Sequence, residues 1–195
     1  VYKSRDGGGT WEKFPSFSAR RVTTLAIDPQ LPATVYAGTM GDAVYKSADG
    51  GQHWLPHNVG LKEHVSLINQ FVFHPTVSEK IYAATTVGAF FTKDAGREWI
   101  ERMNGMKEVH IVTSIAINPK DPTILYAGTT GGVYRSDDGT MNWKKINNGL
   151  IPESELMAAM ALGVNAIEID RVNPDIVYAG TTKGLFRTGN KGEQW

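Results

Sequence analysis

The sequence predicts an all-β fold, a β-propeller of four-stranded antiparallel blades with about four to five blades in this chain, and three observations predict it. A Ser/Thr-x-Asp-x-Gly-x-x-Trp pattern recurs five times, at 4–11, 47–54, 92–99, 136–143 and 188–195. Its tryptophans, at 11, 54, 99, 143 and 195, lie 43, 45, 44 and 52 residues apart, the period of one propeller blade. A second block repeats in phase: Leu25-Ala26-Ile27-Asp28-Pro29 leads to Val35-Tyr36-Ala37-Gly38-Thr39, and 71–85, 115–129 and 167–181 follow the same template without gaps.

Each unit reads as a short strand of β-branched or aromatic residues, a polar turn often holding Pro, and a second strand. A Gly-containing turn, a third strand such as Val44-Tyr45-Lys46, the repeated motif as a tight turn and a Trp-led outer strand complete it. Innermost strands are expected near 22–28, 68–74, 112–117 and 164–169. The whole chain, 1–195, is expected to be a single propeller, with a partial first blade at 1–14 and blades near 15–58, 59–103, 104–148 and 149–195. The chain opens on a third strand and stops where an outer strand should start, so pairing strands from both ends within one blade leaves one strand over. That count points to a piece of a larger ring, or to a ring completed by a partner chain. Open blade edges also make self-association an expected partnership.

Composition narrows the partners. With 20 basic and 20 acidic residues the net charge is zero, so the field that steers proteins onto nucleic acid is missing. The longest apolar run, 156–162, is far shorter than the roughly 18 to 20 residues that cross a bilayer, so no membrane insertion is expected. There is no Cys to form a disulfide or a thiolate metal site. No cofactor and no metal is expected.

The repeated motif reads as structural. Asp6, Asp49, Asp94 and Asp138 are suited to accept backbone N–H bonds in a hairpin, Gly supplies positive φ, and Trp11, Trp54, Trp99, Trp143 and Trp195 pack between neighbouring sheets. Thr140 stands where Gly is expected in the fourth copy and Asn190 replaces Asp in the fifth, so those two turns are expected to be looser.

On these residues the chain resembles the Asp-box, or BNR-repeat, superfamily, which includes sialidases, xyloglucan-cleaving glucanases, the sortilin ectodomain and photosystem II assembly propellers. The resemblance implies the propeller fold and a secreted, periplasmic or otherwise extracytoplasmic location. It leaves function open, because the same blade serves hydrolases and non-catalytic binders. A sialidase-like site would need a Tyr outside the repeat. Tyr36, Tyr82, Tyr126 and Tyr178 share one strand position, however, and Tyr2, Tyr45 and Tyr134 share another that Phe91 and Phe186 fill elsewhere. In the xyloglucan-cleaving family an Asp follows the second strand. Here Met40, Thr86, Thr130 and Thr182 take that place, with Asp42 the nearest acid.

The superfamily's ligands usually meet the face opposite the Asp-boxes. The loops expected there carry Arg20 and Arg21; Lys62, Glu63 and His64; Lys107, Glu108 and His110; and Glu153 and Glu155. The two Lys-Glu stretches, each with a nearby His, could also gather metal ligands, although their spacing matches no recognised motif. The last of these loops, with Pro152 ahead of acids and then Ala, Leu and Met, is expected to hold a short helix. Glu168 occupies an innermost-strand position filled elsewhere by Ala26, Val72 and Ala116. It could bind a cation or a sugar hydroxyl in the channel, lie in solvent, or pair with Arg171. The favoured function is a non-catalytic binding or scaffold propeller that presents loops to a protein or glycan. The alternative is a glycoside hydrolase, xyloglucanase- or sialidase-like, with Asp42 and Glu168 as weak catalytic candidates.

Overall fold

The computed structural model describes residues 1–14, 21–61, 65, 67–107, 109, 111–150 and 162–195. Among them, seventeen strands form five antiparallel sheets and there is no helix. The first sheet pairs β1 (Tyr2–Lys3) with β2 (Glu12–Lys13). The second runs β3 (Val22–Ile27), β4 (Val35–Thr39), β5 (Val44–Ser47), β6 (Leu55–Pro56), and the third β7 (Ile68–Phe73), β8 (Ile81–Thr85), β9 (Gly88–Thr92), β10 (Ile100–Glu101). The fourth runs β11 (Val112–Ile117), β12 (Leu125–Thr129), β13 (Gly132–Ser136), β14 (Lys144–Lys145), and the fifth β15 (Val164–Ile169), β16 (Val177–Thr181), β17 (Gly184–Thr188). These are the blades of a propeller, with β3, β7, β11 and β15 innermost at the positions expected. The helix expected around 152–160 lies outside the described residues.

An innermost strand pairs on one edge only, and its other edge would leave N–H and C=O groups unpaired. The neighbouring blade supplies the missing partners. Each innermost strand carries a register shift after its first residue, as between Val22 and Thr24. The residue released there reaches across. Thr23 Oγ1 donates to the Ile68 carbonyl at 2.7 Å, Asn69 Nδ2 to that of Val112 at 2.7 Å, and Thr113 Oγ1 to that of Val164. In return, Gln70 Oε1 and Ser114 Oγ accept from the next blade's Ile115 and Ile167 amides at 2.8 and 3.2 Å.

Three apolar clusters fill the spaces between blades. One joins Tyr36 and Val44 to Phe71, Ile81, Phe90 and Trp99, a second joins Tyr82 and Ala89 to Ile115, Leu125, Tyr134 and Trp143, and a third joins Tyr126 and Val133 to Ile167 and Val177, with Trp195 against it. Trp99, Trp143 and Trp195 thus each seal their own blade onto the one before, whereas Trp11 is exposed. The indole N–H donates there as well: Trp99 to His57 O, Trp143 to Arg102 O and Trp195 to Ile146 O, at 3.0, 3.0 and 2.7 Å. The backbone comes so close at this seam that a Cβ on Gly60 would lie 2.0 Å from Trp99 O, and one on Gly105 2.0 Å from Trp143 O. Both glycines also have positive φ, 83° and 92°, so only glycine fits.

The Asp-boxes share one hydrogen-bond pattern. The Ser47 hydroxyl donates to Asp49 Oδ1 at 2.7 Å and accepts from Gly51 N at 2.9 Å, while Asp49 Oδ1 also accepts from His53 N at 2.9 Å. The two degraded copies are not looser. Thr140 adopts φ +75°, and its amide meets Ser136 Oγ at 2.9 Å. The Asn190 amide oxygen stands in for the carboxylate, accepting from Thr188 Oγ1 at 2.7 Å and Gln194 N at 3.1 Å. The turn needs an acceptor oxygen and a left-handed residue, and both copies supply them. The strand register also corrects one alignment: Phe90, paired with Ala83, takes the place of Tyr45 and Tyr134, whereas Phe91 aligns with Lys46 and Arg135.

Candidate functional site

The two rims of the propeller are chemically different. On one, each of the last four Asp-boxes is tied to the turn after its innermost strand: Gly50 N donates to Ala33 O, Ala95 N to Glu79 O, Gly139 N to Thr123 O and Lys191 N to Asp175 O, at 2.7 to 2.9 Å. The Asp-box carboxylates on this rim are spent on the turns. Hydrogen bonds from Thr10 hold Asp6 well below the usual carboxylate range, those from His53 and Ser47 do the same for Asp49, and Asp94 and Asp138 are lowered in the same manner.

The opposite rim carries the turns between second and third strands and the loops between blades. Of the binding candidates, Arg21 and Lys107 are described. Both are exposed, Arg21 just before β3 and Lys107 ahead of β11, so the blade built on β7 stands between them. Arg21 leans on Met40, its guanidinium donating to Met40 Sδ at 3.7 Å. Arg20, Lys62, Glu63, His64, Glu108, His110, Glu153 and Glu155 lie outside the described residues. Among the described residues, no group of three or more His, Cys, Asp or Glu side chains is placed to hold a metal ion.

Asp42 sits half-buried on the same rim, in a turn one residue longer than those at 85–89, 129–133 and 181–185. The extra residue leaves Ala43 at φ +53°, where Gly88, Gly132 and Gly184 serve elsewhere. Asn58 fixes this turn, its Oδ1 accepting from Val44 N at 2.8 Å and its Nδ2 donating to Asp42 O at 3.3 Å. The cleft beside it, about 310 Å³, is lined by Asp42, Tyr45, Asn58, Leu61 and Val65. Glu168 is exposed on β15, opposite Tyr178 in register. It borders a cleft of about 370 Å³ along the innermost strands with Gln70, Val72, Ala116 and Arg171. Among the described residues no ion pair joins Glu168 to Arg171, which leaves Glu168 in solvent. Asp42 and Glu168 line different clefts, on the second and fifth sheets with two blades between them, and among the described residues neither cleft holds a second carboxylate.

A third cleft was not anticipated. It encloses about 550 Å³, more than either of the other two, between the fourth and fifth sheets on the Asp-box side, lined by Arg135, Asp137, Lys144, Lys145, Asn147, Lys191 and Glu193 among others. Arg135 is engaged within it, donating to Asp137 through Nε at 2.8 Å and to Lys191 O at 3.2 Å. The only advance signal was the adjacent Lys144 and Lys145, at an outer-strand position where other blades carry Leu55 and Pro56 or Ile100 and Glu101.

Residues 1–132 match the family model described as "Sortilin-Vps10: Sortilin, neurotensin receptor 3". No curated protein sequence matches the chain. Solved structures share its fold at low identity. The GH74 enzyme of Niastella koreensis superposes with a TM-score of 0.77 at 15% identity, over 97% of this chain and 33% of that one. A structure of YCF48 bound to D1 peptide gives 0.64 at 16%, over 100% and 60%. The extracellular domain of the one-component system BT4673 from B. thetaiotaomicron gives 0.67 at 15%, over 91% and 22%. The chain therefore spans between about a fifth and three fifths of these relatives' lengths. Among the described residues, no helix is long and apolar enough to cross a membrane.

Proposed function

The chain belongs to the Sortilin-Vps10 family, and from that premise we propose that it is a non-catalytic binding propeller whose loop-bearing rim, opposite the Asp-boxes, receives a protein or glycan outside the cytoplasm. The observation that carries this reading is the division of labour between the rims. The Asp-box carboxylates close their own turns, whereas Arg21, Lys107 and the Asp42 cleft stand on the rim where the blades differ from one another. Differences between blades are what a ligand can read; the repeat itself is scaffold. YCF48, solved bound to D1 peptide, and the extracellular domain of BT4673 support the reading by fold.

The test combines glycan and peptide arrays with hydrolysis assays on xyloglucan and sialosides. Binding without turnover, weakened by Arg21→Ala or Lys107→Ala, is the expected result. The GH74 likeness gives the glycoside hydrolase reading its standing. Turnover abolished by Asp42→Asn or Glu168→Gln would establish that alternative and end the binding-only account.

A further inference from the structure

The seam between the third and fourth sheets departs from the seams on either side of it. In the seam before it, the Tyr36 hydroxyl and Lys46 ammonium both donate to the Ala95 carbonyl, at 2.8 and 3.2 Å, and His57 Nδ1 lies 3.1 Å from the Gly96 carbonyl. In the seam after it, the Tyr126 hydroxyl and Arg135 guanidinium both donate to the Lys191 carbonyl at 3.2 Å. The middle seam has neither arrangement. Phe91 takes the place of the strand cation and packs on Tyr82, ring centroids 5.0 Å apart. Among the described residues, no hydrogen bond joins Tyr82 to Gly139, which holds the position of Ala95 and Lys191.

The cation comes instead from the outer side of the blade. Arg102 holds the chain position of His57 and Ile146, three residues after its box Trp, and its guanidinium lies 5.6 Å from the centre of the Phe91 ring. Thr140 stands opposite. A Cβ at Gly96 would lie 3.3 Å from Tyr36 Cε1 and 3.7 Å from His57 Nδ1, and one at Gly192 would lie 2.3 Å from Ile146 Cδ1. Thr140 is the box residue that carries this Cβ, so its side chain is set against Tyr82 and Arg102. Burial pushes the Tyr82 pKa up while the Arg102 charge opposes the shift, which brings guanidinium and phenol within electrostatic reach of each other.

Arg102 Nε and the Thr140 hydroxyl are the two buried side-chain polar atoms without a hydrogen-bond partner among the described residues, and both fall in this one seam. No ion pair reaches Arg102 among those residues. Buried donors are as a rule paired, by protein, water or ion. A half-buried guanidinium also calls for an opposite charge.

We propose that this seam binds a small monovalent anion, held by the Arg102 guanidinium and the hydroxyls of Thr140 and Tyr82. Its size follows from burial: Thr140 is 1% exposed and Trp143 4%, which suits a halide rather than a phosphate or a peptide carboxylate. The anion gives these donors the acceptor that a box carbonyl gives in the neighbouring seams. It also gives Thr140 a reason to stand at φ +75°, where the other boxes carry glycine.

Chloride is the probe. Replacing sodium gluconate by sodium chloride at constant ionic strength holds screening fixed. It should raise the melting temperature of the protein toward saturation, as a ligand of the folded state does, and the folded protein should broaden the chloride NMR line. Arg102→Met keeps an apolar stem over Phe91 and should lose both responses. Thr140→Ala and Tyr82→Phe each remove one donor to a charged acceptor and should weaken chloride binding about tenfold. These two variants carry the test if Arg102→Met fails to fold. Equal melting temperatures in chloride and gluconate, a response that survives Arg102→Met, or one unchanged in both hydroxyl variants overturns the proposal and leaves water as the partner of these donors.

Discussion

Replacing Thr140 by glycine should make the protein more stable, although it deletes a buried side chain. Thr140 holds φ +75° in the fourth Asp-box, where the other four copies place Gly8, Gly51, Gly96 and Gly192 at +84° to +99°. Left-handed backbone costs a residue bearing a Cβ about 1–2 kcal/mol. Its hydroxyl is buried without a hydrogen-bond partner, which adds about 1–3 kcal/mol. Against these stand the extra unfolded-state entropy of glycine, about 0.5–1 kcal/mol, and the lost burial of the methyl group, about 0.8 kcal/mol. The balance favours glycine by about 1–2 kcal/mol, a rise in melting temperature of roughly 2–8 °C for a chain of this size. Urea and thermal unfolding measure it, with a shift in midpoint at unchanged slope. Thr140→Ala separates the two causes, since it removes the hydroxyl and keeps the Cβ, and it should recover only the hydroxyl's share. A Thr140→Gly protein no more stable than the parent would refute the account and show that the β-branched residue sits there without strain.

The same seams give further expectations. Gly105→Ala sets a Cβ against Trp143 O at a positive-φ position and should cost at least about 2–3 kcal/mol in urea unfolding. Tyr126→Phe removes the hydroxyl bond to Lys191 O and should cost about 0.5–1.5 kcal/mol by the same measurement. Acid should weaken the fold in two stages. Burial lowers the His57 and His74 pKa values below the ordinary 6.5, so the unfolded chain binds protons more readily, and stability falls as pH drops from 6.5 toward the folded values. The Asp-box carboxylates, held below 3.8 by their hydrogen bonds, add a second loss as pH falls below 3.8. Urea midpoints taken from pH 8 downward should show both stages, and His57→Gln should flatten the first.

The strands were legible because the repeat states them several times over. Four in-phase copies of a Leu25-to-Thr39 type block fix where each innermost strand starts, and chance departures in one copy are outvoted by the others. What the repeat could not show was which departures matter. Thr140 and Asn190 look alike as deviations, yet Asn190 keeps the acceptor oxygen the turn requires, whereas Thr140 keeps the geometry at a cost. Gly60, Gly105 and Gly149 recur at spacings of 45 and 44, yet the recurrence alone carries no reason for them. A glycine's reason lies in the backbone that approaches it from another blade, and no local pattern displays that.

The rim opposite the Asp-boxes was legible only as an address. Arg21, Lys107 and Asp42 could be assigned to it because blade topology fixes which turns share a rim. Their chemistry depends on distances between blades, which spacing along the chain does not encode. Asp42 shows the difference. One inserted residue, invisible as a signal in a loop of Gly and Met, lengthens the turn that sets the Asp42 carboxylate beside its cleft, with Ala43 in left-handed backbone where the other blades place glycine. Deleting Gly41 to restore the four-residue spacing of the other turns tests whether that insertion serves ligand or fold. Local backbone strain of this kind costs about 1–3 kcal/mol and persists where surrounding structure or function holds it. The shortened turn, with Ala43→Gly beside it, should therefore unfold at higher urea than the parent while losing whatever ligand the arrays identify. A variant that gains stability and keeps the ligand would place the binding site elsewhere on the rim.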